Sequence, residues 1–212
     1  MLLLHSLLDF FLHIDTHLGS ILQEYGALTY LILFLIIFCE TGLVVTPFLP
    51  GDSLLFAAGA FAARGSMNGI VLFVLLSVAA IAGNTTNYFI GRHVGVAAYG
   101  WNSRFIKQEH LQHTKQFFAV HGGLTIIITR FMPIVRTFAP FVAGIGHMPL
   151  RTFFAYNIAG GLLWVTLFVG GGYFFGTLPF VEKNFSAVIL VIIVFSVLPG
   201  LFAWMKRRVA SV

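Results

Sequence analysis

Charge is what this sequence has least of. Asp, Glu, Lys and Arg together make up 9% of its 212 residues, where a soluble domain carries about 25%. With 58% hydrophobic residues and a mean hydropathy of +0.95, the composition excludes a solvated globular surface and predicts an integral membrane protein. Cysteine is nearly absent: Cys39 alone excludes an internal disulfide and a thiolate metal cluster, and reads as a buried helix residue. Lys and Arg exceed Asp and Glu by 12 to 7, yet no long basic run stands on a polar domain, so no nucleic-acid partner is expected. The N-terminus MLLLHSLLDFFLHIDTHLG has no positive start, so no cleavable signal peptide is expected either.

Catalytic patterns are missing as well. There is no nucleophile–base pairing, phosphate loop or GxSxG, so no enzyme and no cofactor are predicted. His13 and His17 flank Asp15, and His110 and His113 stand three apart, but neither set has a third ligand at zinc spacing. No metal site is predicted. The histidines lie outside the apolar hairpin cores, which argues against an intramembrane phosphatase.

What is present is apolar sequence in long runs. Residues 1–20 place His5, Asp9, His13 and His17 four apart, on one face of an amphipathic helix lying in the membrane interface. Residues 21–40, 70–90, 153–176 and 185–205 each have the ~20 apolar residues that cross a bilayer as helix. Residues 91–122 form the one long polar segment and are expected to include a surface helix. Trp101, Trp164 and Trp204 read as interface anchors or packing.

Two further apolar segments, 41–63 and 124–147, are broken by Pro47, Pro50, Pro133 and Pro140. Proline removes a backbone donor, and freed backbone groups survive at membrane depth only under protein or beside a wet cavity. Both segments are therefore predicted to be re-entrant hairpins. That topology places Arg92, Arg104, Lys107, Lys115, Arg151, Lys206, Arg207 and Arg208 on one face and only Arg64 and Lys183 on the other. The positive-inside rule then puts both termini in the cytoplasm. The predicted fold is all-α: one membrane domain over 1–212, with four transmembrane helices, two re-entrant hairpins in a loose inverted repeat and an N-terminal amphipathic helix. The small-residue exits AAG at 57–59 and VAG at 142–144 support the repeat.

Four charges fall at these broken segments: Glu40 and Asp52 at the first, Arg130 and Arg136 in the second. Each costs about 2.5–3.5 kcal/mol at mid-membrane on insertion scales, so they must pair, lie shallow or face water. Arginine presents a planar fork suited to phosphate oxygens, and a partly desolvated carboxyl can carry a proton. The residues thus describe a proton-coupled carrier of an anionic head group, with Arg130 and Arg136 binding substrate and Glu40 and Asp52 coupling protons. Pro47, Pro50, Gly51, Pro133 and Pro140 shape the site, as do the polar residues Asn84 and Asn157. Asn84 and Asn87 read first as interhelical hydrogen-bond formers, and Asn157 as a partner for a hairpin backbone.

FLPGDSLL at 48–55, GNTTNYFIGR at 83–92 and HGGLTIIITRFMPIVRTFAPFVAGIGHM at 121–148 together resemble the DedA family of bacterial inner-membrane proteins. The resemblance runs nearly the full length, from HID at 13–15 to LPG at 198–200. It implies re-entrant architecture, location in the inner membrane and transport of membrane lipid, in particular a flippase for the carrier lipid undecaprenyl phosphate. It also implies dependence on the proton-motive force. The family's essential acids fall on Glu40 and Asp52, and its essential arginines on Arg130 and Arg136. One departure is Asn84, where many relatives have Asp; an amide cannot titrate. The implied partners are phospholipid, polyprenyl phosphate and protons. A homo-oligomer through Gly172 and Gly176, in GxxxG spacing, competes with internal packing there. The alternative functions are a proton-coupled carrier of a small ion or drug, and a non-transporting scaffold whose charges only lock the hairpins.

Overall fold

A computed structural model describes residues 14–43, 51–100 and 122–209. Among the described residues all regular structure is helical, in nine helices and no strand: α1 Ile14–Tyr25, α2 Leu28–Gly42, α3 Gly51–Ala63, α4 Gly69–Gly100, α5 Leu124–Thr129, α6 Pro133–Ile145, α7 Leu150–Phe175, α8 Pro179–Lys183 and α9 Phe185–Val209. Two stretches, Gly69–Val94 and Leu150–Phe175, are long and apolar enough to cross a membrane at 26 residues each; at ~1.5 Å per residue either exceeds a ~30 Å hydrocarbon core. Pro47, Pro50, the polar face formed by His5, Asp9 and His13, and the polar segment 101–121 with Trp101, His110, His113 and His121 lie outside the described residues.

Two expected boundaries move. The run 21–40 is not one helix, because Gly26 takes a positive φ of 50° and turns the chain between α1 and α2. Glycine has no Cβ to oppose that conformation, and hydropathy alone does not register it. In the second broken segment the interruption falls at Arg130–Met132, where Met132 is extended and Pro133 opens α6. Pro140 sits inside α6 without ending it.

The chain divides into two compact units. The first comprises Met1–Ile36, Leu49–Ser77 and Trp164–Val212, and the second Ile37–Phe48 and Val78–Leu163. In the first unit α3 packs against α1 and α9 and is buried almost all round. It meets α7 through small residues. A β-carbon added to Gly59 would collide with Val169 O, and one added to Gly172 with Phe56 O. The GxxxG spacing is thus used inside the chain.

The second unit repeats that device with other residues. A β-carbon on Gly144 of α6 would collide with Tyr88 O of α4, and one on Gly91 with Phe141 O. In both crossings each glycine stands three residues after the carbonyl that its partner glycine faces. The two small-residue exits read in the sequence therefore do the same work: each lays a short helix against a long apolar helix. The core of the second unit gathers Tyr88, Ile126, Ala143, Met148 and Phe153. Tyr88 and Phe153 stack with ring centroids 4.2 Å apart, and Tyr88 OH donates to Met148 O at 2.5 Å.

Candidate functional site

In the second unit Arg136 stands in the first turn of α6, where its N–H donates to Met132 O and its side chain points into protein. Arg136 Nη2 donates to Glu40 Oε1 in a buried ion pair; Glu40, near the end of α2, is 0% exposed. The elements carrying the pair are joined one residue further on. Asn87 Nδ2 donates to Thr41 O at 3.2 Å and to Thr137 O at 2.6 Å, so one amide of α4 links the backbone beside Glu40 to the backbone beside Arg136. The interhelical role read for Asn87 holds. Asn84, one turn earlier, is also buried and takes no part in this link.

Arg130 lies at the end of α5, at the chain break, and is 2% exposed. Its contacts are all neutral. Nη2 donates to Asn157 Oδ1 at 2.6 Å, to Asn157 O at 3.4 Å and to Ala80 O at 3.3 Å. Among the described residues it has no carboxylate partner, and its Nε has no hydrogen-bond acceptor. Asn157 thus contacts the broken segment through the Arg130 side chain rather than through hairpin backbone.

Asp52 belongs to the first unit, in the first turn of α3, where the amide ends of a helix favour a carboxylate. Trp164 Nε1 donates to its Oδ1 at 2.9 Å and Ser196 Oγ to its Oδ2 at 2.6 Å. Trp164 is 1% exposed, so of the two readings, interface anchor or packing, packing holds: the indole is buried because its N–H has a carboxylate to serve. Of the predicted site residues, then, Glu40 and Arg136 are paired, Arg130 and Asn157 are paired, and Asp52 has Trp164 and Ser196. Gly51 and Pro133 each open the helix that carries a charge.

Sequence reasoning missed Ser196 and Thr85, whose hydroxyl accepts from Asn157 Nδ2 at 3.1 Å. The hydroxyl of Ser196 lies 2.9 Å from the carbonyl four residues earlier, an alternative acceptor to Asp52 for its single proton. Thr85 donates to the carbonyl four residues earlier at 2.7 Å. That is the ordinary use of a hydroxyl in an apolar helix, so nothing in the pattern singled them out. A separate cleft of about 540 Å³ in the first unit, lined by Ala62, Met67, Gly69, Ile70, Tyr173 and Phe174 among others, carries no charged side chain and offers an anion nothing. Among the described residues no cluster of His, Cys, Asp or Glu is placed to hold a metal ion.

The VTT domain family model matches residues 49–174, more than half of the chain. The chain is 54% identical over 212 residues to Protein DedA of Escherichia coli (strain K12), covering 99% of this chain and 97% of that protein. It is 43% identical over 178 residues to a membrane protein of Mycobacterium leprae (strain TN), covering 83% and 80%. It is 35% identical over 188 residues to the inner membrane protein YghB of Escherichia coli (strain K12), covering 88% and 82%. None of the three is named for an enzymatic activity, and two are named as membrane proteins. No solved structure matches. By the family model and by its likeness to these relatives, the chain is a membrane protein of the VTT-domain, or DedA, family.

Proposed function

We propose that the chain is a secondary carrier that moves an anionic lipid, undecaprenyl phosphate, across the bacterial inner membrane with proton coupling. Arg130 and Arg136 receive the phosphate, and Glu40 and Asp52 handle the proton. The architecture that goes with it is a single membrane domain of four spans and two re-entrant segments, with both termini cytoplasmic. Phospholipid surrounds it, and polyprenyl phosphate and protons are its partners.

The observation that carries this reading is Arg130. A guanidinium at membrane depth costs about 2.5–3.5 kcal/mol on insertion scales unless something compensates it, and among the described residues only an amide and two carbonyls do so. Beside it in the same unit, Glu40 already neutralises Arg136. Among the described residues of this unit, which does not include Asp52, these two guanidiniums and one carboxylate leave one net positive charge, which an adhesive contact has no need to keep. A lipid phosphate supplies the missing anion.

The same count suggests the coupling. A phosphate dianion brings one negative charge too many for neutrality, and a single proton, on the phosphate or on Glu40, restores it. With dianion and proton bound, the loaded site is neutral overall, the form least penalised in a low-dielectric interior.

The test is reconstitution into proteoliposomes, following transbilayer movement of undecaprenyl phosphate with and without a pH gradient. Wild type is expected to move the lipid faster under the gradient, and Arg130→Ala and Arg136→Ala to fall to the protein-free rate. Equal rates for wild type and either variant would remove the assigned role. Proton flux driven by a small ion or drug, with no lipid movement, would assign the site to that cargo instead.

A further inference from the structure

Arg130 and Arg136 are held by different chemistry. Arg136 has a carboxylate, Glu40; Arg130 has the amide of Asn157. The amide's orientation is set from its far side. Asn157 Nδ2 donates to Ile81 O at 3.0 Å and to Thr85 Oγ1 at 3.1 Å, while Thr85 spends its own proton on Ile81 O at 2.7 Å. A carbonyl can only accept, and the hydroxyl has only a lone pair left, so the nitrogen must face them and the oxygen must face the guanidinium. Gly160 and Gly161 leave the slot in which Arg130 lies: a β-carbon at Gly160 would stand 3.2 Å from Arg130 Cδ and one at Gly161 3.4 Å from Nη2.

An aspartate has nearly the same shape as asparagine and would bind Arg130 more strongly, but it would cancel the charge. We infer that Asn157, seated by Thr85, is a positioning residue that fixes Arg130 toward a phosphate monoester while leaving its charge uncompensated, so that selectivity for phosphate over a neutral head group depends on an amide at position 157. The inference rests on the lipid-phosphate reading above. Arg130 Nε supports it independently: it is buried without an acceptor, an arrangement that costs about 1–3 kcal/mol and that an arriving phosphate oxygen would relieve.

The experiment uses the full chain in lipid nanodiscs, with farnesyl phosphate and its neutral counterpart farnesol as probes, titrated by calorimetry. Loss of one charge-assisted contact corresponds to about tenfold or more in affinity. Asn157→Asp is expected to weaken farnesyl phosphate by that factor while leaving farnesol unchanged. Thr85→Val, which unseats the amide, is expected to weaken the phosphate severalfold, and Thr85→Ser to restore it. Wild-type affinity in Asn157→Asp, or equal weakening of both probes, would overturn the inference and leave the carrier reading standing. Should Asn157→Asp fail to fold, the Thr85 pair decides: Thr85→Val binding like wild type overturns it. A wild type with no preference for phosphate over alcohol removes the inference together with the reading beneath it.

Discussion

Glu40 and Arg136 are 96 positions apart in the chain and meet in protein interior. A buried pair of this kind gains little over a well-packed apolar pair, but removing one partner strands the other and typically costs about 3–5 kcal/mol. Thermal unfolding in detergent of Glu40→Ala, Arg136→Ala and the double variant should show this. Each single variant is expected to melt well below wild type, and the double variant to lose much less than the two losses together. Strict additivity would mean that the two side chains do not depend on each other. The sequence made these residues visible because a charge in an apolar run must find a partner or water. It could not say which acid meets which base, since Glu40 and Asp52 differ only in what folds around them. Nor did it disclose Trp164, because a buried indole with a carboxylate to serve and an interfacial indole leave the same letter in an apolar run.

At the scale of elements, the two glycine crossings explain why short helices such as α3 and α6 can be held against long ones. Without a hydrophobic force between helices in lipid, close approach of small residues supplies the packing. Because the atoms facing these glycines are backbone carbonyls, they cannot turn aside, and overpacking of about 1–3 kcal/mol is expected. Gly172→Ala and Gly144→Ala should therefore lower the melting temperature. Gly170→Ala should not, because a β-carbon there meets nothing within 4 Å and alanine favours the helix. If all three variants melt alike, the crossings are not what the carbonyl contacts make them. The small-residue exits were legible in the sequence as AAG and VAG, while their long-helix partners, Gly91 and Gly172, were not matched to them. The break at Arg130–Met132 was masked by two prolines. Pro133 lies at a helix start, where its missing donor costs little, and Pro140 is carried within α6, so proline count alone did not locate the break.

For the whole molecule, charge distribution and apolar length make different demands, and topology is where they meet. Two of the described helices pass by length and composition as membrane-crossing, and α9 runs 25 residues; the remaining apolar helices are shorter, so length alone admits several threadings. The positive-inside rule gives the basic residues a preference among them. Returning both broken segments to the side they left puts Arg64 and Lys183 outside and the other loop and terminal cations inside. Making segment 124–147 a full span would divide the cations between the faces, against the positive-inside rule, whereas segment 41–63 precedes every Lys and Arg and its threading moves only the N-terminus. Because Cys39 is the single cysteine, a Cys39→Ser background allows this to be read residue by residue. Ser66→Cys, in the turn after α3, and Asn184→Cys, between α8 and α9, should both react in intact spheroplasts with a maleimide that cannot cross membranes. Ser211→Cys at the tail should react only after permeabilisation. If segment 124–147 were instead a full span, three crossings rather than two would separate Ser66 from Asn184, and they would fall on opposite faces. Labelling of one but not the other from outside would then replace that re-entrant segment with an ordinary threading and place Arg130 and Arg136 on a simple crossing segment.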